Sequence, residues 1–235
     1  MTFTKLLGCI TLLFFTNVCL AQNSYHQQKE YGFNGKIKKV STYMVYPSKY
    51  QIPTDTLAYF ARNIMKFSRK GDLVSQEKSY DLPNYLFSQK MKFNGTGKNI
   101  SYNEESTLND FPTEHKQYVY KWLNTLSYEI MPTNSEDTSK RIVHLNNDFT
   151  IKQVIYKADN LQTKEDVTYF YNDEGQLKEV HYSMNVTKDN ETTFTKDVQK
   201  IQALDVYNNP TVIYYFATEE GRVPKTVIFK YYEYY

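Results

Sequence analysis

The stretch VTYFYNDEGQLKEVHY, residues 167–182, constrains the fold most, because weaker copies of it recur at a near-fixed interval. Val167, Tyr169 and Tyr171 alternate with Thr168 and Phe170, a period of two that puts the two sets on opposite faces of a strand. All five are β-branched or aromatic, the types that suit a half-buried sheet. Asn172, Asp173, Glu174 and Gly175 interrupt the pattern as a type I turn, with Gly175 in the left-handed conformation of a G1 bulge. From Leu177 the alternation resumes, so the stretch predicts a β-hairpin.

The copies differ in how well they keep the turn. FSRKGDL at 67–73 matches YNDEGQL at 171–177 in its aromatic, its Gly71 and its Leu73. Residues 93–97 keep the aromatic-to-glycine spacing with Gly97, but the apolar follower slips to Ile100. Residues 118–122 begin a unit that has lost its glycine, and LNNDFTI at 145–151 has Phe149 in that place. The last copy, LDVYNNP at 204–210, has Asn208 there, the next best residue for a left-handed position. Gly71, Gly97, Gly175 and Asn208 are therefore the expected turn-forming residues. The anchors Phe67, Phe93, Tyr120, Leu145 and Tyr171 fall 26, 27, 25 and 26 residues apart, and Leu204 lies 33 further on. Such a period marks one supersecondary unit that cannot bury its face alone. We expect an all-β antiparallel meander of roughly 12–16 strands, forming one twisted or curled sheet. A single domain would cover residues 31–235. Its first strand would run over 36–46 and stop at Pro47, a polar loop would occupy 103–113, and a Tyr-rich strand would end the chain.

At these turns the chain resembles the Rhs/YD-repeat family, whose unit carries an aromatic, an Asp or Asn, a following Gly and an apolar residue. YNDEGQL at 171–177 is the best match and FSRKGDL at 67–73 the next. The opening GKIKKVSTY and the closing KYYEYY are similar to the ends of short exported YD-repeat-like proteins of Bacteroidetes-type bacteria. The resemblance implies a wound β-sheet and contact with carbohydrate or protein.

The N-terminus reads as a targeting segment. Residues 1–5 are short and positively charged, and residues 6–20 form an apolar run of the length of a signal-peptide core. Cys19-Leu20-Ala21 supplies a small-x-small cleavage site, so residues 1–21 would be removed and residues 22–30 would be a polar lead-in. The protein would be exported and be periplasmic, outer-membrane-associated or extracellular. Both cysteines, Cys9 and Cys19, fall in the leader, so the mature chain would have no disulfide and no thiolate site. The net charge of +2, with scattered basic residues, argues against nucleic acid as a partner.

No motif supports catalysis, and no cofactor or metal is expected. His26, His115, His144 and His181 form no metal-ligand pattern, and residues 172–175 lack the spacing of a calcium loop. The neighbouring acids Glu104-Glu105 and Glu219-Glu220 would face apart in a strand. The aromatics carry the functional expectation, since Tyr alone contributes 23 residues. Tyr118, Tyr120, Trp122 and Tyr128 form the candidate binding cluster, and Tyr231, Tyr232, Tyr234 and Tyr235 a second one. We therefore expect an exported, non-enzymatic repeat protein that binds protein or glycan through a sheet face or edge. The alternatives are a structural envelope component without a small ligand and an outer-membrane β-barrel. Against the barrel, and against membrane insertion, stand the lysines that interrupt most candidate strands and Glu233 on the face of Tyr231 and Tyr235.

Overall fold

A computed structural model describes residues 24–48, 51–218 and 221–235. The expected leader, both cysteines and Glu219-Glu220 lie outside the described residues. A short helix α1 (Gln27–Glu30) precedes fourteen strands. These are β1 (Ile37–Val45), β2 (Tyr59–Phe67), β3 (Leu73–Leu82), β4 (Tyr85–Thr96), β5 (Asn99–Leu108), β6 (Glu114–Asn124) and β7 (Ser127–Pro132). The meander continues with β8 (Lys140–Leu145), β9 (Ile151–Ala158), β10 (Leu161–Tyr171), β11 (Leu177–Lys188), β12 (Glu191–Leu204), β13 (Pro210–Phe216) and β14 (Thr226–Tyr234).

Every strand pairs antiparallel with its neighbours in sequence, and β1 pairs with β14, so the meander closes into a barrel. The expectation of an open, curled sheet is corrected here. The closing register runs from Ile37 opposite Tyr234 to Val45 opposite Val227. It joins the two strands that would otherwise expose unpaired backbone, which removes the sheet's edges altogether. Residues 103–113 are also not one loop, because β5 extends to Leu108 and pairs with β4 and β6 on its two sides.

The sequence period is two strands. Consecutive turn copies therefore fall at the same end of the barrel, where β1 begins and β14 ends. Gly71, Gly97, Gly175 and Asn208 all have positive φ, at 88°, 58°, 75° and 63°. Phe149, in the glycine place of its copy, is held at φ 70°.

Alternation sorts the side chains into a lumen face and an outer face. The lumen face carries Val40, Met65, Tyr102, Tyr120, Tyr128, Val143, Val180, Ile213 and Ile228, most of them buried. The outer face is charged. Glu77 sits opposite Lys90, Lys90 opposite Glu105, and Lys121 opposite Glu129. Lys39 and Glu233 form an outer ion pair at 2.6 Å across the closing seam. The outer side over β13, β14 and β1 is apolar, and there Val45, Val227 and Phe229 pack with Val212 and Tyr214.

Candidate ligand-binding site at the plugged mouth

A fourteen-stranded barrel is wider than its own side chains can fill. The N-terminal segment, expected as a loose lead-in, instead folds into the mouth at the turn end. Its polar side chains hold it there by meeting backbone groups. The Gln28 N–H donates to the Gly71 carbonyl at 3.0 Å, and the Leu73 N–H donates to Gln27 Oε1 at 3.0 Å. Gln28 Nε2 donates to the Gly35 carbonyl at 2.6 Å. Gln27, Gln28 and Glu30 are buried as a result. Asn209, fully buried, accepts from the Asn34 N–H at 2.7 Å and donates to the Asn34 carbonyl at 3.0 Å, which fixes where the plug leaves the lumen.

Glu30 is the innermost charge of the plug. It accepts hydrogen bonds from the Tyr128 hydroxyl at 2.8 Å and from the Tyr25 hydroxyl. Burial raises its carboxyl above the ordinary range, and the two phenols and the Arg141 charge pull it partway back. Burial, and then the Glu30 charge, raises the Tyr25 phenol far above its usual value. His26 moves the other way, lowered by burial and by Lys29.

The candidate cluster Tyr118, Tyr120, Trp122 and Tyr128 comes together, because β6 pairs with β7 and sets Trp122 opposite Tyr128. It faces the lumen. Tyr118 stacks on Tyr102 at 4.8 Å, Tyr120 on Tyr128 at 5.0 Å, and Tyr25 meets Trp122 edge-on at 4.7 Å. These rings form the wall against which the plug packs. The second cluster is split by alternation: Tyr232 and Tyr234 face inward, while Tyr231 and Tyr235 lie on the outer side, about half exposed. Glu104 and Glu105 likewise face apart, Glu104 into the lumen. His181 is an outer-face strand residue, 2.9 Å from Glu179. Among the described residues, no three His, Cys, Asp or Glu are placed to hold a metal ion.

The plug covers one side of the mouth and leaves a cleft of about 480 Å³ on the other. Tyr169, Tyr171, Gln176 and Asn208 line it from the turns, and Gln28, Lys29 and Asn34 line it from the plug. Asp148 adds one acid. Gln176 Nε2 donates to Asn208 Oδ1 at 3.3 Å, which ties two successive turn copies into one rim. Of these residues, the sequence singled out Tyr169, Tyr171 and Asn208, and only for strand alternation and turn geometry. The missed signal is the period itself, since turns that recur every two strands must gather their side chains around one mouth.

Fold and site together define a closed, plugged β-barrel with a polar, tyrosine-lined recess at its mouth. No family model and no curated protein matches the chain. A solved structure, a porin-like protein from Bacteroides uniformis, is similar over 86% of this chain and 98% of its own, at 7% identity and a TM-score of 0.33. At that score the likeness carries no weight for function.

Proposed function

We propose that the protein is an exported, non-enzymatic binding protein that takes a glycan in the mouth cleft, with its barrel standing in water rather than in lipid. The composition of the cleft carries the glycan reading. Tyrosine rings can stack on sugar rings, and the side-chain amides of Gln28, Asn34, Gln176 and Asn208 can both donate to and accept from hydroxyls. One cation and one acid leave little net charge, which suits a neutral sugar. A protein partner, the other class expected, would use the outer wall, because closure leaves no sheet edge to augment. The Rhs/YD-repeat resemblance supports the same reading from the turn motifs alone. A glycan array followed by titration tests it. Saturable binding should weaken at least tenfold in Tyr171→Ala, whose ring is 54% exposed, with no change in melting temperature. Absence of any retained glycan, or equal binding by the variant, would overturn it.

An outer-membrane barrel is the second reading. The even strand number and the short turns at the end holding both barrel termini favour it. Against it, outward charges recur at mid-strand: Glu77, Lys90, Lys92, Glu105, Lys121, Glu129, Lys164 and Asp166. A lysine facing lipid at the midplane costs about 2–4 kcal/mol, so this set is far too expensive for a bilayer to surround.

A further inference from the structure

The mouth cleft is built from two bodies. One wall belongs to the barrel, with Tyr171, Gln176 and Asn208 at turns that strand pairing fixes. The other is Gln28, Lys29 and Tyr31 of the plug, which non-covalent contacts hold against the barrel. Spacing along α1 divides these residues by role. Gln27 and Glu30 are three apart and share one helix face, while Gln28 and Tyr31, also three apart, share another. The first face meets the barrel. There Gln27 Oε1 accepts from the Leu73 N–H and Glu30 accepts from the Tyr128 hydroxyl. Neither Gln27 nor Glu30 lines the cleft. The second face is the one the cleft uses.

The docked plug also leaves polar groups unserved. His26 Nδ1, Gln27 Nε2 and Trp122 Nε1 are buried without a hydrogen-bond partner among the described residues. Trp122 is the ring that Tyr25 of the plug meets edge-on at 4.7 Å. Each orphaned group costs free energy that the anchoring bonds must offset, which narrows the margin by which the plug stays docked. A ligand spanning both walls adds contacts that exist only in the docked state.

We propose that Gln27 and Glu30 are positioning residues for the cleft, and that ligand binding and plug docking reinforce each other. This inference rests on the glycan reading of the cleft. A glycan bridging the plug and the turns binds the docked state better, so occupancy locks the plug. Conversely, apparent affinity scales with the docked fraction. Glu30 and Tyr31 also wall the cavity of about 290 Å³ behind the plug, so a bound glycan holds that cavity closed.

Titration with a glycan retained on the array tests the coupling, with Trp122 emission recorded on the same samples. The double variant Gln27→Ala/Glu30→Ala should show red-shifted emission and bind about fivefold more weakly or worse. Glu30→Gln keeps an acceptor for the phenols and should bind as wild type does. Val198→Ala on β12, fully buried on the outer side opposite His181, should lower stability yet leave affinity unchanged. That control separates positioning from general loss of stability. Saturating glycan should in turn move the wild-type Trp122 transition to higher urea. If the double variant fails to fold by circular dichroism, Tyr128→Phe removes one donor to Glu30, keeps the ring and carries the same comparison. Equal affinity in a variant whose emission has shifted, or unshifted emission in the folded double variant, would overturn the coupling and leave the glycan reading standing. Absence of any glycan bound by wild type would remove both.

Discussion

Removing the Glu30 carboxylate should release the plug. Glu30→Ala strands the hydroxyls of Tyr25 and Tyr128, which both donate to Glu30 Oε1 in a buried setting. A buried polar group left unpaired costs about 1–3 kcal/mol, and water entering the space vacated by the carboxyl recovers part of that. The net loss in plug docking should be about 2–3 kcal/mol. The only tryptophan reports it directly, since Trp122 is capped edge-on by Tyr25 at 4.7 Å. Its emission should shift to the red at lower urea in Glu30→Ala than in wild type. The pH dependence has a definite sign. The docked Glu30 is raised, so docking is strongest where its carboxyl is protonated and weakens as pH rises through that elevated value. The docked His26 is lowered, so its contribution is present above its ordinary value of 6.5 and fades as pH falls. Glu30→Gln keeps an acceptor for the phenols and should abolish the weakening with rising pH while leaving the weakening with falling pH. An unchanged Trp122 transition in Glu30→Ala, or a weakening with rising pH that persists in Glu30→Gln, would refute this account of the plug.

Three further outcomes follow from the same contacts. Asn209→Leu should lower stability by about 2–4 kcal/mol in urea melts, because the buried amide serves Asn34 twice and also bonds the Tyr234 hydroxyl at 2.8 Å. Gly95→Ala should be far worse than Gly175→Ala in thermal melts. Both have positive φ, but a Cβ on Gly95 would lie 1.8 Å from the Asn99 carbonyl oxygen, whereas one on Gly175 meets nothing within 4 Å. Phe149→Gly should still destabilise by about 2–4 kcal/mol, since relief of its left-handed backbone is worth about 1–2 and the lost burial of its ring more.

The hairpins were legible because their signals are local. Alternation through Tyr169 and Tyr171 and a glycine at a left-handed turn depend on a few neighbours. Closure was not legible, because an open sheet and a barrel share the same period of two. What separates them is a pairing such as Tyr43 with Phe229, between residues far apart in sequence. The plug was missed for a different reason. Gln27, Gln28 and Glu30 read as solvated polar residues, and their burial depends on backbone and phenol partners that only the finished barrel supplies. The aromatic cluster around Trp122 was found as a cluster, but its face could not be assigned, since the outer wall carries aromatics too. Likewise, Tyr171, Gln176 and Asn208 were read for turn geometry, although the period had already placed them on one rim.

The central claim is that the barrel wall meets water. Acetylation of intact exported protein, on cells or envelope vesicles, with an amine reagent that does not cross membranes tests it most directly, site by site in a mass spectrometer. Lys90, Lys92 and Lys121 lie exposed on the outer face, well inside their strands, and should react as fast as lysines in the turns, while Lys78 and Lys230 in the lumen lag behind. Protection of the three mid-strand lysines as one band, with only the turn lysines reacting, would place the wall in lipid and contradict the account.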